Sequence, residues 1–329
     1  MLGSRSLTAE QSVIERDRRL LEEAPARFGD RLFTIITTGA AGAIVVLVLL
    51  VAAELWTGSS AARHEFGFGF LTSSDWDPVN RTFGALPYIY GTVVTSIVAL
   101  LIAAPLGILT ALFLTEISPG WLRTPVGFLV EMLAAIPSVI YGLWALSSLV
   151  PVVRERIEPF LEDHFGFIPI FEGPKYGVGL LAAGLVLTIM VLPTVTAISR
   201  DVLLAIPAGQ REAAYALGAT RREVILGVVL PAARTGITGA LILALGRALG
   251  ETMAVTMVIG NRGEINHSLF ALGDTMASVI ANQFTEASYN LYKSVLIEIG
   301  LVLFGVTLLM NIGARLLVAR LASGLERER

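Results

Sequence analysis

The chain contains no cysteine, only two lysines and only three histidines in 329 residues. Without cysteine there is no disulfide framework, no thiolate metal site and no thiol nucleophile. The lysines, Lys175 and Lys293, follow proline and tyrosine, so the Gly-Lys pair that a phosphate-cradling loop places before Ser or Thr is missing, and with it an ATPase site inside this chain. His64, His164 and His267 are far apart and lie outside the apolar runs, which excludes a His-rich metal site. Charged residues make up only 16% of the chain, and the net charge is -3. The basic residues are dispersed rather than gathered into a patch, so nucleic acid is excluded as a partner.

Apolar residues are abundant instead. Hydrophobic side chains make up 54% of the chain and the mean hydropathy is +0.73, a balance that suits a bilayer better than water. A crossing helix needs about 20 mostly apolar residues. Six stretches meet that length, at roughly 33–56, 89–114, 124–150, 176–199, 235–259 and 294–318. The expected fold is therefore an all-α polytopic membrane protein with six spans at 32–329, preceded by an N-terminal arm at 1–31. Leu7, Val13, Ile14, Leu20 and Leu21 alternate with charges in that arm, as in an amphipathic or solvated helix. The first span follows this charged stretch and is too long for a signal-peptide core, which predicts a permanent span. Arginines concentrate in the N-terminal tail, at Arg123, in the loop holding Arg200, Arg211, Arg221, Arg222 and Arg234, and in the C-terminal tail. By the positive-inside rule those segments, and so both termini, are cytoplasmic. The opposite loop at 57–88 carries Phe66, Phe68, Phe70 and Trp76, candidates for capping the protein, meeting an external partner or anchoring at the interface. Pro105, Pro137 and Pro193 fall within expected spans, where a missing N–H commonly kinks a helix.

The cytoplasmic connection at 200–233 keeps helical spacing although it is polar enough to leave the membrane. It reads as two short helices, Gln210 to Leu217 and Thr220 to Leu230. Gly218 supplies the left-handed residue between them, Thr220 and Glu223 form a capping box, and Pro231 acts as a stop. In the fifth span Arg247 and Glu251 stand four residues apart amid apolar neighbours, a spacing that puts both on one helical face where they can pair. A charge at the bilayer centre costs on the order of 3 kcal/mol, so such residues normally line a water-filled path or a protein interior. Arginine suits a tetrahedral oxyanion because its donor fork is fixed and always charged. The same pair also fits a structural clamp holding the span to its neighbours.

Glu212, Ala213, Ala214, Gly218, Leu230 and Pro231 resemble, at matching spacing, the EAA loop of binding-protein-dependent ABC importer permeases; Val228 departs from the usual isoleucine. The resemblance implies the importer-permease (MetI-like) fold, with the first loop helix seated in a groove on a separate ATPase subunit and Glu212 and Gly218 fixing the contact geometry. Gly246 to Val255, Phe83 to Ser96 and Phe70 to Pro78 are in turn similar to phosphate-specific permeases of the PstC type, and Met253 and Ala254 stand where the sister PstA type reads differently. That resemblance implies an inner-membrane phosphate transport subunit in which Arg247 and Glu251 serve the substrate path. It also implies a PstA-like sister permease, two copies of a PstB-like ATPase that bind ATP and magnesium, and a PstS-like external phosphate-binding protein, with membrane lipid around the spans. No cofactor or metal belongs to this chain on that reading. Three alternatives stand beside it: a permease for sulfate, molybdate or another oxyanion; a membrane sensor that works through the docking loop; and a membrane-embedded hydrolase. The spans offer the hydrolase no suitable cluster of His and carboxylates.

Overall fold

A computed structural model of the chain describes residues 28–326, with side chains to Leu316. The expected amphipathic arm and the end of the C-terminal tail lie outside the described residues. Residues Met1–Glu54 form one unit and Leu55–Arg329 another. Helix α1, Phe28–Gly58, supplies the first expected span. Within the first unit its apolar side chains, from Leu32 to Val51, are exposed, as a helix facing lipid requires.

In the second unit a two-residue hairpin, β1 (Trp76–Asp77) against β2 (Thr82–Phe83), precedes α2 (Leu86–Leu112). Then come α3 (Gly120–Ala135), α4 (Ser138–Trp144), α5 (Leu180–Leu204), α6 (Ala208–Ala216), α7 (Arg221–Val224) and α8 (Leu230–Leu249). The chain ends with α9 (Met253–Val258), α10 (Met276–Gln283) and α11 (Asn290–Glu326). Among the described residues, five helical runs are long and apolar enough to cross a membrane: Gly29–Gly58, Leu86–Ile117, Leu180–Leu204, Arg221–Leu249 and Asn290–Leu316.

The third expected span, 124–150, is not one straight helix. Gly120–Ala135 and Ser138–Phe165 meet at 94°. The cause is Pro137, whose ring disfavours helical backbone at the residue before it; Ile136 is extended at φ -69° and ψ 129°. Pro105 and Pro193, by contrast, stay inside unbroken helices. Both lie on the α2–α5 pair, whose close packing offsets their cost of about 3 kcal/mol each. Small residues recur every fourth position on α2, at Gly91, Thr95, Ala99, Ala103, Gly107 and Ala111, and all are buried. They let the backbones approach: a Cβ on Gly107 would sit 2.7 Å from Val195 Cγ1, and one on Gly184 would sit 2.6 Å from Val98 Cγ1.

The fourth span starts at Leu180 rather than near residue 176, because Gly177 and Gly179 hold φ of +73° and +149°. The first N–H groups of α5 would otherwise lack partners. They are met by the segment between α9 and α10: Leu180 N donates to Ala271 O (3.1 Å) and Leu181 N to Leu269 O (2.8 Å). The same segment presses the Asp274 carbonyl against α2, where a Cβ on Gly91 would lie 2.0 Å from that oxygen. Met276 N donates to Thr92 Oγ1 there at 3.0 Å. Gly91→Ala must therefore push two backbones apart. We expect it to cost about 3 kcal/mol and to lower the denaturation temperature of the detergent-purified protein. Gly239→Ala, where an added Cβ meets nothing within 4 Å, should leave that temperature unchanged.

Most aromatics of the 57–88 loop are core rather than anchors. Phe70 is fully buried, and Trp76 packs edge-on against Phe83 and Tyr88, with ring centroids 5.0 and 4.8 Å away. The Trp76 indole N–H and the Tyr292 hydroxyl both donate to Gln283 Oε1. Only Phe68 of the four projects outward, at 90% exposure.

Candidate functional site

The connection after α5 folds locally as its residues dictate. Helix α6 ends in a Schellman turn: Gly218, at φ +83°, donates to Tyr215 O (2.9 Å), and Ala219 N donates to Ala214 O (3.2 Å). Thr220 then starts α7 through a complete capping box, Thr220 N donating to Glu223 Oε2 at 2.7 Å and Glu223 N to Thr220 Oγ1 at 3.4 Å.

Pro231 does not stop this second helix. A widened turn at Ile225–Val229 leads straight into α8, with Pro231 in its first turn. A proline lacks a donor and crowds the carbonyl one turn back, and the widened turn just ahead absorbs both effects. The second loop helix and the fifth span are thus one run, Arg221–Leu249.

The six loop positions divide between two faces. Glu212 and Ala213 are exposed, and Pro231 is exposed farther along. Ala214 and Leu230 are half-buried against Leu112, Leu203 and Val224. Ala214 therefore fits the loop to its own bundle, and of the two alanines Ala213 lies on the outer face. Sequence reasoning missed two residues on that face: Leu217, at 90% exposure, and Tyr215, at 46%. The signal was available, since both are large apolar side chains flanking the small positions of a polar loop.

It also missed Arg211, which turns inward. Its Nη2 and Nε donate to Glu116 Oε1 at 2.9 and 3.2 Å, Nη1 donates to Ile206 O at 2.7 Å, and Nη2 also reaches Leu203 O at 2.8 Å.

Arg247 and Glu251 do not share a helical face. Helix α8 ends at Leu249, and Gly250 to Thr252 leave the helix before α9 begins. Hydropathy continues unbroken through this point, which is why a single span to 259 was expected. Among the described residues neither side chain makes an ion pair within 4.0 Å. Glu251 Oε1 instead accepts a 3.4 Å bond from Ala254 N at the start of α9. Arg247 is exposed, in the last turn of α8 where the helix dipole favours a cation.

The break after α8 faces the break before α4. A Cβ on Gly142 of α4 would lie 2.6 Å from Met257 Sδ and 3.1 Å from Ala254 Cα of α9. Tyr141 Oη donates to Leu133 O (2.7 Å), tying α4 back to α3 across the bend. Behind α9, Thr256, Asn261, Ser278 and Asn282 form a hydrogen-bonded network that holds it to α10. Two interrupted helices facing one another, with a free guanidinium beside them, match the way membrane proteins build polar substrate sites from broken helices.

A family model described as binding-protein-dependent transport system inner membrane component matches residues 103–323. The chain is 48% identical over 323 residues to the phosphate transport system permease protein PstC of Mesorhizobium japonicum, covering 96% of this chain and 98% of that protein. It is 50% identical to the protein of the same name from Pasteurella multocida, covering 85% and 89%. A probable PstC of Methanocaldococcus jannaschii shares 40% over 85% and 90%. In fold the chain is similar to a solved chain of a bacterial alginate ABC transporter, with a TM-score of 0.60 at 15% identity over 91% of this chain and 99% of that one. A chain of the MetNI methionine ABC transporter in an inward-facing conformation gives 0.51 at 22% identity, over 70% and 93%.

Proposed function

The chain belongs to the binding-protein-dependent transport system inner membrane components, and within them to the PstC-type phosphate permeases; on that premise we propose that it carries inorganic phosphate across the cytoplasmic membrane. The observation that carries the proposal is the placement of Arg247: exposed, without an ion pair among the described residues, and in the last turn of α8 just before the helix breaks. A hydrated divalent oxyanion entering a bilayer-spanning protein needs fixed positive charge, and arginine offers paired donors that match two of its oxygens. Glu251 stands in the break itself, at the start of α9, where its negative charge limits how tightly an anion is held. Weak, transient binding is what a conduit requires.

The chain itself breaks no bond in this scheme. ATP and magnesium are held by a separate PstB-like ATPase present in two copies, a PstA-like sister completes the pathway, and a PstS-like protein delivers phosphate from outside. Both termini and the α6–α7 turn face the cytoplasm. The exposed edge of α6, with Glu212 and Ala213, enters the ATPase groove. Closure of the ATPases moves α6, and the Arg221–Leu249 run carries that motion to Arg247. No cofactor or metal of its own takes part.

Uptake of labelled phosphate into vesicles carrying the whole complex tests the cargo. ATP-dependent accumulation of phosphate, with sulfate and molybdate excluded, is the expected result. Accumulation of sulfate at an equal or greater rate would assign the site to another oxyanion.

A further inference from the structure

We infer that Arg211 is a positioning residue that fastens the ATPase-docking helix to spans two and four, so that motion of α6 reaches the α2–α5 pair and not only α8; this rests on the transport reading above. The chain joins α6 to its neighbours by short segments, to α5 by Ala205 to Pro207 and to α7 by the turn at Leu217 to Ala219, and Ala214 packs against the bundle. The polar link to the spans is a side chain. The Arg211 guanidinium makes four hydrogen bonds to three places at once: Glu116 beyond the end of α2, Leu203 near the end of α5, and Ile206 in the connection.

The arrangement is protected on every side. The side chains of Arg211 and Glu116 are 19% and 10% exposed, so the pair is screened little by solvent. Leu203 O lies in the last turn of α5, where it also accepts from Ile206 N at 3.4 Å, and Ile206 O lies just past the helix end; a cation there meets the negative end of the helix dipole. Glu116 is held in place by the widened turn Phe113–Ile117, closed by Ser118 N donating to Phe113 O at 2.7 Å. That turn frees Thr115 O, which accepts from Arg123 Nη2 at 2.9 Å and so anchors the turn to the start of α3. Glu212, next in sequence and about 100° further around α6, is exposed. Neighbouring residues thus take separate parts: Glu212 outward to the partner, Arg211 inward to the bundle. Because α2 and α5 pack through small residues along their length, a pull on their cytoplasmic ends moves them as a pair.

The test uses the whole complex with its ATPase and binding protein, reading phosphate taken up per ATP hydrolysed together with the amount of assembled complex. Phosphate uptake by the parent complex is measured first; its failure would count against the transport reading and not against Arg211. We expect Arg211→Met to lower uptake per ATP by about tenfold while ATP hydrolysis continues. Removing one partner of a buried pair strands the other, so this variant also assembles less well. Arg211→Met combined with Glu116→Met removes the stranded charge and should recover assembly with the ratio still low, because the ties to Leu203 and Ile206 remain broken. Glu116→Gln, which keeps an acceptor of the same size, should lower the ratio less. If the ratio stays at the parent value in Arg211→Met, or returns with assembly in the double variant, Arg211 is merely structural and the inference is overturned.

Discussion

Phosphate uptake is expected to fall about 100-fold when Arg247 is replaced by glutamine, in a complex that assembles in normal amount. The two halves of that expectation have separate physical grounds. Assembly survives because Arg247 is exposed and makes no ion pair among the described residues, so its loss strands no partner. What the bundle loses is a cation in the last turn of α8, a contribution of roughly 0.3–1 kcal/mol. Uptake does not survive, because glutamine offers an anion a neutral dipole in place of a full charge in a setting of low dielectric. Vesicle uptake normalised to assembled complex is the measurement, and normal uptake in a stable Arg247→Gln complex would return the residue to a structural role.

The absence of an Arg247–Glu251 ion pair changes what such a pair could mean. Two charges four residues apart on one intact helix would neutralise each other within the span, and an arriving anion would have to displace the glutamate. With the helix ended at Leu249, Glu251 caps α9 instead, and the guanidinium is left available. Helices α8 and α9 are each packed on neighbours on either side of this break.

Local rules were legible in the sequence and long-range ones were not. The Thr220–Glu223 box and the left-handed Gly218 depend on residues within one turn of each other, and both stand as the residues dictate. Three prolines marked three places for a kink, but only Pro137 breaks its helix. The difference lies in what surrounds each ring, and no local pattern records the dense α2–α5 packing that keeps Pro105 and Pro193 helical. Pro231 read as a stop because a single sequence does not show that a widened turn will precede it. The break at Gly250 was hidden by the apolar run on both sides, and the separation of Arg247 from Glu251 was hidden with it. Arg211 and Glu116 are 95 positions apart, so their meeting depends on how α2 and α5 pair. The aromatic loop hides a similar fact: capping, partner contact and interfacial anchoring all fitted its pattern, whereas Trp76 meets Gln283 and Tyr292, over 200 positions later, inside the fold.

Reversing the charge at Glu212 should separate ATP hydrolysis from transport. Glu212 lies exposed on the outer edge of α6, beside exposed Gly209, Ala213 and Ala216. The described side chains leave it without a hydrogen bond or ion pair to its own bundle, so Glu212→Lys costs this chain almost nothing in stability; surface changes of that kind stay within about 0.5 kcal/mol. Its effect falls on the partner. On the proposed docking a carboxylate set on a ridge of small residues enters the groove of the ATPase, and a lysine in its place reverses the charge offered there, at a cost of several kcal/mol when the contact is closed to water. The exposed Tyr215 and Leu217 still supply apolar contact, which predicts weakened rather than abolished binding of the ATPase. The expected result is an inserted, correctly folded permease whose ATPase co-purifies poorly and whose phosphate uptake is lost, with ATP hydrolysis no longer responding to the loaded binding protein. Arg211→Met makes the useful contrast, since it leaves the outer edge intact and cuts the inner tie. The first variant should release the ATPase, and the second, in whatever complex assembles, should keep it bound with little uptake per ATP. If Glu212→Lys instead couples hydrolysis to uptake at the parental ratio, α6 is not the docking helix.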